Sequence, residues 1–138
     1  MTLGFGPGRY TLVDQTALPE LLPECRRRGV AIVLGGPFNS GILATGAQPA
    51  DGSLPYFDYA PAPPEIVARV AAIERVAAAH GVPLRAAALQ FPRADPAVAI
   101  VLAGARSKAE LDDSLAMLAT PIPRALWSRP TTGWRYGT

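Results

Sequence analysis

The chain has 138 residues, and 13 Lys and Arg against 11 Asp and Glu give a formal net charge of only +2. This excess is too small for the basic surface of a typical nucleic-acid or membrane-surface binding protein, so neither partner is expected. Hydrophobic residues make up 49% and charged residues 17%, which excludes a disordered chain and predicts one domain with an apolar core.

Cysteine content and the distribution of apolar residues narrow the class further. Cys25 is the single cysteine, which rules out an intramolecular disulfide framework and a Cys-rich zinc site, so no metal is expected. The N-terminal residues have neither a basic start nor a long apolar run and are not typical of a secretory signal. Residues 29–50 carry no charge but contain five glycines and two prolines, which argues against a membrane span. We therefore expect a cytoplasmic, soluble α/β domain.

The first predicted elements alternate between strand and helix. Tyr10–Val13 is predicted as a first strand. Ala17–Arg28 is predicted as a helix because Leu18, Leu21, Leu22 and Cys25 share one face, and Gly29 supplies its left-handed end. Val30–Leu34 is a short, continuous apolar run, which is typical of a strand buried on both faces.

The middle of the chain contains the most regular pattern. Pro55–Pro64 is proline-rich and is predicted as a long loop over the strand ends. Pro64–His80 is predicted as a helix, because Pro64 suits the first helical position and apolar residues follow at steps of three and four. Gly81 and Pro83 end it.

The remaining elements repeat the alternation. Leu84–Phe91 is predicted as a short helix closed by Pro92, and Val98–Leu102 as a second doubly buried strand. Ser107–Leu118 is predicted as a helix with a leucine stripe and a capping box formed by Ser107 and Glu110. The chain from Pro121 onward is predicted to be a loose tail. Strands alternating with helices indicate a parallel sheet with right-handed crossovers.

Two loops stand where parallel α/β proteins bind ligands, at the carboxyl ends of strands. Gly35–Gly41 follows the strand at 30–34, and its glycines let the backbone approach a phosphate or pyrophosphate. Gly104–Ser107 leads into a helix N-terminus, where amides, a hydroxyl and a guanidinium favour an anion. From the residues alone, a rigid connector is an equally valid interpretation of the first loop, and a plain helix cap is the favoured interpretation of the second.

Four segments together resemble the last part of an aldo/keto reductase, in particular the D-threo-aldose 1-dehydrogenase branch. They are Arg9-Tyr-Thr-Leu-Val-Asp-Gln, Gly35-Gly-Pro-Phe-Asn-Ser-Gly-Ile-Leu, Tyr59-Ala-Pro-Ala-Pro-Pro-Glu-Ile and Leu102-Ala-Gly-Ala-Arg-Ser. The resemblance implies the C-terminal part of a TIM (β/α)8 barrel, with about three parallel strands and their helices. It divides the chain into a non-family N-terminal extension at 1–8, an aldo/keto reductase-like segment at 9–128 and a divergent tail at 129–138.

The resemblance also implies a cofactor site for NAD or NADP. One loop resembles the segment that wraps the nicotinamide side and the pyrophosphate, namely Gly36, Pro37, Phe38, Asn39, Ser40 and Gly41. The other resembles the segment that holds the adenosine end, namely Gly104, Arg106, Ser107, Glu110, Asp113 and Ser114. Many relatives stack an aromatic residue on the nicotinamide where this chain has Gly35, and Tyr10 is a candidate substitute. Tyr56 and Tyr59 are candidates to border a sugar.

The resemblance implies hydride transfer between the C1 hydroxyl of a sugar and nicotinamide. The family's catalytic tyrosine, lysine, histidine and aspartate come from earlier strands, and we find none of those motifs here; Lys108 and His80 are the single lysine and histidine and fall on predicted helix ends. The chain alone is therefore expected to be inactive, without catalytic residues of its own. A non-catalytic α/β assembly module is the alternative. In either case open sheet edges predict a homo-oligomer or pairing with a missing N-terminal half.

Overall fold

The structure is a computed structural model that describes residues 2–7, 10–16 and 19–128. Its strands are β1 (Thr2–Pro7), β2 (Val30–Gly35), β3 (Tyr56–Phe57), β4 (Ala60–Pro61) and β5 (Val98–Leu102). Its α-helices are α1 (Leu21–Arg28), α2 (Ile42–Thr45), α3 (Pro64–Ala79), α4 (Leu84–Gln90), α5 (Lys108–Ala119) and α6 (Arg124–Trp127), with short 3-10 turns at Asn39–Gly41 and Phe91–Ala94.

A parallel sheet with the strand order β1-β2-β5 organises the molecule. β1 and β2 pair in register from Thr2 opposite Val30 to Pro7 opposite Gly35. β2 pairs on its other side with β5, and this ladder shifts its register between Ile32 and Val33. The predicted α/β class with a parallel sheet is confirmed, as are the strands predicted at 30–34 and 98–102.

The first strand lies elsewhere than predicted. Tyr10–Val13 is a bend, and the strand that pairs with β2 is β1, within the segment expected to be an extension. A local turn occupies the backbone groups that a strand would use: Thr11 N–H donates to the Asp14 carbonyl at 2.7 Å, and Asp14 N–H donates to Thr11 Oγ1 at 3.1 Å. The β-branched and aromatic composition of 10–13 was therefore misleading.

The helix predictions are largely confirmed, with differences at the ends. α3 has the expected span and α4 continues past Gln90 into a 3-10 turn that includes Pro92. α1 begins later than predicted, because Pro19 and Glu20 form a turn, while residues 17 and 18 lie outside the described part of the chain. It ends at Gly29 with φ of 65°, as expected.

Two segments predicted as irregular contain regular structure. The loop at 55–64 includes the antiparallel hairpin β3–β4, whose turn residues Asp58 and Tyr59 have left-handed φ values of 52° and 64°. The tail beyond Pro121 includes α6, in which Leu126 is fully buried and the Trp127 ring centroid lies 6.0 Å from that of Phe91. Residues 129–138, expected to be a divergent tail, lie outside the described residues.

The core lies between α3, α4 and one face of β2, and includes Ile32, Leu34 and Ile73. The prediction that β5 is buried on both faces is wrong, because Ile100 and Leu102 are exposed. The leucine stripe of α5 is exposed as well.

No helix in the described ranges is both long enough and apolar enough to cross a membrane.

Candidate functional site

A groove of about 1000 Å³ lies where β2 and β5 end. Because neighbouring parallel strands present their carboxyl ends at one edge of the sheet, the loops that follow them meet there. The walls of the groove come from the loop after β2, the loop after β5, α2, α4, α5 and the β3–β4 hairpin. The lining consists of Gly36, Pro37, Phe38, Ser40, Gly41, Ala44, Thr45, Tyr59, Arg85, Gly104, Ala105, Arg106, Ala109, Glu110, Asp113 and Ser114.

Ten of the twelve residues predicted to hold a cofactor line this groove, and Asn39 and Ser107 do not. Asn39 is 7% exposed, and its side-chain carbonyl accepts a hydrogen bond from the Thr11 hydroxyl, which ties the loop after β1 to the loop after β2. Ser107 is the N-cap of α5, and its Oγ accepts the Glu110 N–H at 3.2 Å. Asn39 and Ser107 therefore stabilise the loops that line the groove without lining it themselves.

The loop after β2 bends sharply through left-handed residues. Gly36, Asn39, Ser40 and Gly41 have φ values of 65°, 48°, 62° and 112°. Asparagine tolerates this region better than most residues, and glycine adopts it without a Cβ penalty. Because the loop also closes on itself, with the Asn39 N–H donating to the Gly36 carbonyl at 3.1 Å, it presents a fixed main-chain surface to the groove.

A hydrogen bond joins the β3–β4 hairpin to the loop after β2. The Tyr59 N–H donates to Ser40 Oγ at 2.9 Å, and the Tyr59 side chain is 90% exposed while it lines the groove. Tyr56, the other candidate to border a sugar, is not among the lining residues.

Arg106, in the loop before α5, and Glu110, in the first turn of α5, form an ion pair on one wall of the groove. The Arg106 N–H donates to Glu110 Oε2 at 2.7 Å, and Arg106 Nη2 donates to Glu110 Oε1 at 3.1 Å. These contacts, the main-chain hydrogen bond first, lower the pKa of Glu110, so its carboxylate is ionised at neutral pH. The predicted capping box is thus half formed: Ser107 caps as expected, but Glu110 reaches back to the Arg106 N–H instead of the Ser107 N–H.

A second pair, which the sequence did not predict, joins α4 to α5. Arg85 donates from Nε and Nη2 to the two carboxylate oxygens of Asp113, at 2.8 Å each. This bidentate contact lowers the pKa of Asp113 and raises that of Arg85. The one available signal was that Arg85 is the single charged residue of a helix whose other residues, apart from Gln90, are apolar.

The charges of the described lining cancel. Arg85 pairs with Asp113, and Arg106 pairs with Glu110. The polar groups offered to a ligand are therefore main-chain groups, hydroxyls and these two ion pairs. Lys108 pairs with Asp112 at 2.5 Å, and His80 Nδ1 lies 2.9 Å from the Val76 carbonyl at the end of α3. Neither residue lines the groove.

Tyr10 also lies away from the groove. It is fully buried, and its ring centroid lies 5.1 Å from that of Phe91. The structure therefore corrects the expectation that Tyr10 substitutes for an aromatic residue at the nicotinamide position, because Tyr10 is a core residue.

Comparison with known proteins agrees with this architecture. The family model described as "Aldo/keto reductase family" matches residues 7–130. Pyridoxal 4-dehydrogenase of Microbacterium luteolum is 42% identical over 121 residues, which cover 88% of this chain and 34% of that protein. D-threo-aldose 1-dehydrogenase of Pseudomonas sp is 38% identical over 121 residues, which cover 88% of this chain and 36% of that protein.

The chain therefore spans about a third of the length of the curated relatives it matches. The family model covers most of its residues, and both relatives are oxidoreductases by name. The protein belongs to the aldo/keto reductase family.

Proposed function

We propose that this chain is the C-terminal, cofactor-binding part of an NAD(P)-dependent aldo/keto reductase barrel, with residues 9–128 as the family segment. In the complete protein the reaction is hydride transfer between a sugar hydroxyl at C1 and nicotinamide. One observation carries the proposal: ten residues predicted from two separate loops converge on a single groove at the carboxyl ends of neighbouring strands.

The groove suits a dinucleotide in size and donor chemistry. A volume of about 1000 Å³ is at the upper end of the range for small-molecule and cofactor sites. Gly36 to Gly41 would hold the nicotinamide side and the pyrophosphate through main-chain groups, and the segment from Gly104 to Ser114 would hold the adenosine end. When bound, the nicotinamide supplies the hydride acceptor or donor.

The α5 wall favours NAD over NADP. Glu110 is ionised at neutral pH and would repel the 2′-phosphate of NADP, whereas it can accept a hydrogen bond from the ribose hydroxyl of NAD. Arg106 would attract that phosphate, but its guanidinium is already paired with Glu110. The paired carboxylate therefore offsets part of the attraction that this guanidinium would exert on a phosphate.

We further propose that the isolated chain does not oxidise aldoses. This proposal rests on the sequence, in which we find none of the family's catalytic tyrosine, lysine, histidine and aspartate motifs, and on Lys108 and His80, which do not line the groove. The two self-paired carboxylates are engaged by guanidinium groups. An assay with D-threo-aldoses and either nucleotide should stay at the no-protein rate, and steady NADH production would contradict this part of the proposal.

Calorimetric titration of the 138-residue chain with NAD tests the groove. Gly104 lines the groove, and no described atom lies within 4 Å of the position of its Cβ, so the fold has room for a side chain to begin there and Gly104→Leu adds bulk at the groove wall. We expect this variant to weaken NAD binding about tenfold or more, a loss of about 1.4 kcal/mol. Ala50→Leu, at an exposed turn outside the groove, should leave binding unchanged. Equal binding by both variants, or no binding by the parent chain, would refute the site.

The preference between nucleotides is tested with Glu110→Gln. It should improve NADP binding relative to NAD by several-fold, because it removes the repelling charge. Asp112→Asn is the matched control, since Asp112 lies on the same helix, pairs with Lys108 and does not line the groove. If Glu110→Gln leaves the ratio of the two affinities unchanged, the carboxylate argument is wrong.

A further inference from the structure

The turn after β1, at residues 10–14, is buried although it lies outside the sheet. We call it the buried turn. The Thr11 N–H donates to the Asp14 carbonyl at 2.7 Å, which closes the turn. Arg69 of α3 donates from Nη1 to the Val13 carbonyl at 3.1 Å, which joins the turn to the helical core. The buried turn is therefore a fixed point from which a neighbouring loop can be held.

The Thr11 hydroxyl links the buried turn to the loop after β2. It donates to the side-chain carbonyl oxygen of Asn39 and accepts the Asp14 N–H at 3.1 Å. Thr11 is 0% exposed and Asn39 is 7% exposed, so bulk water cannot replace the hydroxyl at this contact. A buried carbonyl that loses its donor pays the full desolvation penalty, which makes the Thr11–Asn39 contact costly to break.

The loop after β2 needs such support because its backbone is strained. Asn39 and Ser40 are consecutive residues with a side chain, and their φ values of 48° and 62° lie in the left-handed region. Strain of this kind persists only where the surrounding structure enforces it. The Ser40 Oγ accepts the Tyr59 N–H at 2.9 Å on the side of the groove, and Thr11 holds Asn39 on the buried side. The loop is thus fixed at two adjacent residues.

We propose that Thr11 is a positioning residue of the candidate cofactor site: through Asn39, its hydroxyl holds the loop at 36–41 in the conformation that binds the nucleotide. Thr11 does not line the groove and therefore acts without touching the ligand. The inference rests on the proposed function for the identity of the ligand. It assigns the effect to the hydroxyl group, so a serine should replace Thr11 and the similarly shaped valine should not.

Titration of the 138-residue chain with NAD tests this role. Thr11→Val should weaken NAD binding about fivefold or more, because it removes the donor to Asn39. Thr11→Ser should restore an affinity close to that of the parent chain. Thr16→Val is the matched control: the Thr16 hydroxyl donates to Asp14 Oδ1 at 2.8 Å, next to the same turn, but does not reach the loop after β2. This control should bind NAD like the parent chain.

Hydrogen exchange of the nucleotide-free chain separates positioning of the loop from a general loss of stability. The Asn39 N–H donates to the Gly36 carbonyl and the Gly41 N–H donates to the Phe38 carbonyl, at 3.1 Å each. These two amides should exchange faster in Thr11→Val, whereas the amides of α3 should change little. A purely structural role in the core would accelerate exchange in α3 as well.

A double-mutant cycle tests whether Thr11 acts through Asn39. Asn39→Gly keeps the left-handed backbone accessible and removes the carbonyl that the hydroxyl holds. It should weaken NAD binding on its own, and Thr11→Val should then add little to the loss.

Three results would overturn the inference while NAD binding by the parent chain stands. They are parent-like binding by Thr11→Val, a Thr11→Ser variant as weak as Thr11→Val, and full additivity of Thr11→Val with Asn39→Gly. A parent chain that binds no NAD refutes the proposed function instead, and the exchange rates then decide whether Thr11 holds the loop. If Thr11→Val does not fold, Asn39→Gly breaks the same bond from its other partner, and unchanged affinity and exchange in that variant would overturn the inference.

Discussion

Two regions of this molecule have similar apolar content and very different burial. In the region of α3 and α4, Val70, Ile73, Ala77 and the run Ala86–Leu89 are essentially inaccessible to solvent. In the region of β5 and α5 the larger aliphatic side chains are exposed, although the strand is entirely apolar. The comparison shows that apolar side chains are buried where a neighbouring helix or strand packs on them. They stay exposed where the described part of the chain supplies no such neighbour.

The two regions are also held by different interactions. α3 and α4 are joined to the sheet by side-chain packing, whereas α5 is joined to α4 largely by polar contacts. The Gln90 amide donates to the carbonyls of Met117 at 2.9 Å and Thr120 at 2.8 Å, which satisfies the C-terminal end of α5. The packed region should therefore resist unfolding more strongly than α5.

The largest expected effect is a contrast between two truncations. Phe91 is fully buried between Tyr10 and Trp127, so Phe91→Ala should lower the free energy of unfolding by about 3–5 kcal/mol. Leu115→Ala removes a side chain that is already exposed and should change it by less than about 0.5 kcal/mol. Urea unfolding followed by circular dichroism measures both. A Leu115→Ala loss comparable to that of Phe91→Ala would show that the Leu115 side chain is covered in solution.

Much of the first region was predictable from the sequence because its signals are local. The apolar spacing of α3, with Pro64 at its start and Gly81 after its end, is set within one helix. β1 and α6 were missed because local signals oppose or omit them. The sequence of β1 contains two glycines and a proline, which strands disfavour. α6 is only four residues long, and its order depends on Leu126 reaching the core.

The candidate site was predictable to the extent that chain topology decides it. Loops after neighbouring parallel strands must meet, so the convergence of Gly36 and Gly104 follows from the strand assignments. The contribution of Arg85 was not predictable, because it depends on how α4 meets α5. Asn39 looked like a ligand-facing residue, and only the structure shows its side chain bound to Thr11.

An effect of intermediate size on the free energy of unfolding should distinguish two glycines. Gly46 contacts Glu74 of α3, and Gly104 lies between β5 and α5. Gly46 has φ of 85°, and a Cβ there would overlap with Glu74 Oε1, whose partner oxygen accepts the Ala47 N–H at 3.1 Å. Gly46→Ala should therefore destabilise the fold by about 1–3 kcal/mol, through backbone strain and displacement of this carboxylate. Gly104 has no left-handed φ and no described atom near its Cβ position, so Gly104→Ala should be neutral or slightly stabilising. Thermal unfolding compares them, and equal losses would contradict the close approach of Glu74.

The smallest expected effect is the pH dependence of the Arg85–Asp113 pair. Arg85 lowers the pKa of Asp113 below its ordinary value of 3.8. A depressed carboxyl pKa adds stability that is fully present above the unfolded value and is lost as the pH falls through the folded value. Both side chains are 40% exposed, so screening by solvent keeps this contribution below about 1 kcal/mol. The parent chain should therefore exceed Asp113→Asn in unfolding free energy near pH 7, and the difference should shrink as the pH falls below 3.8 and disappear below the folded pKa. Asp112→Asn, which breaks the more exposed pair with Lys108, should give a smaller difference at neutral pH. If the gap between the parent chain and Asp113→Asn stays constant with pH, the ion pair does not hold α5 to α4.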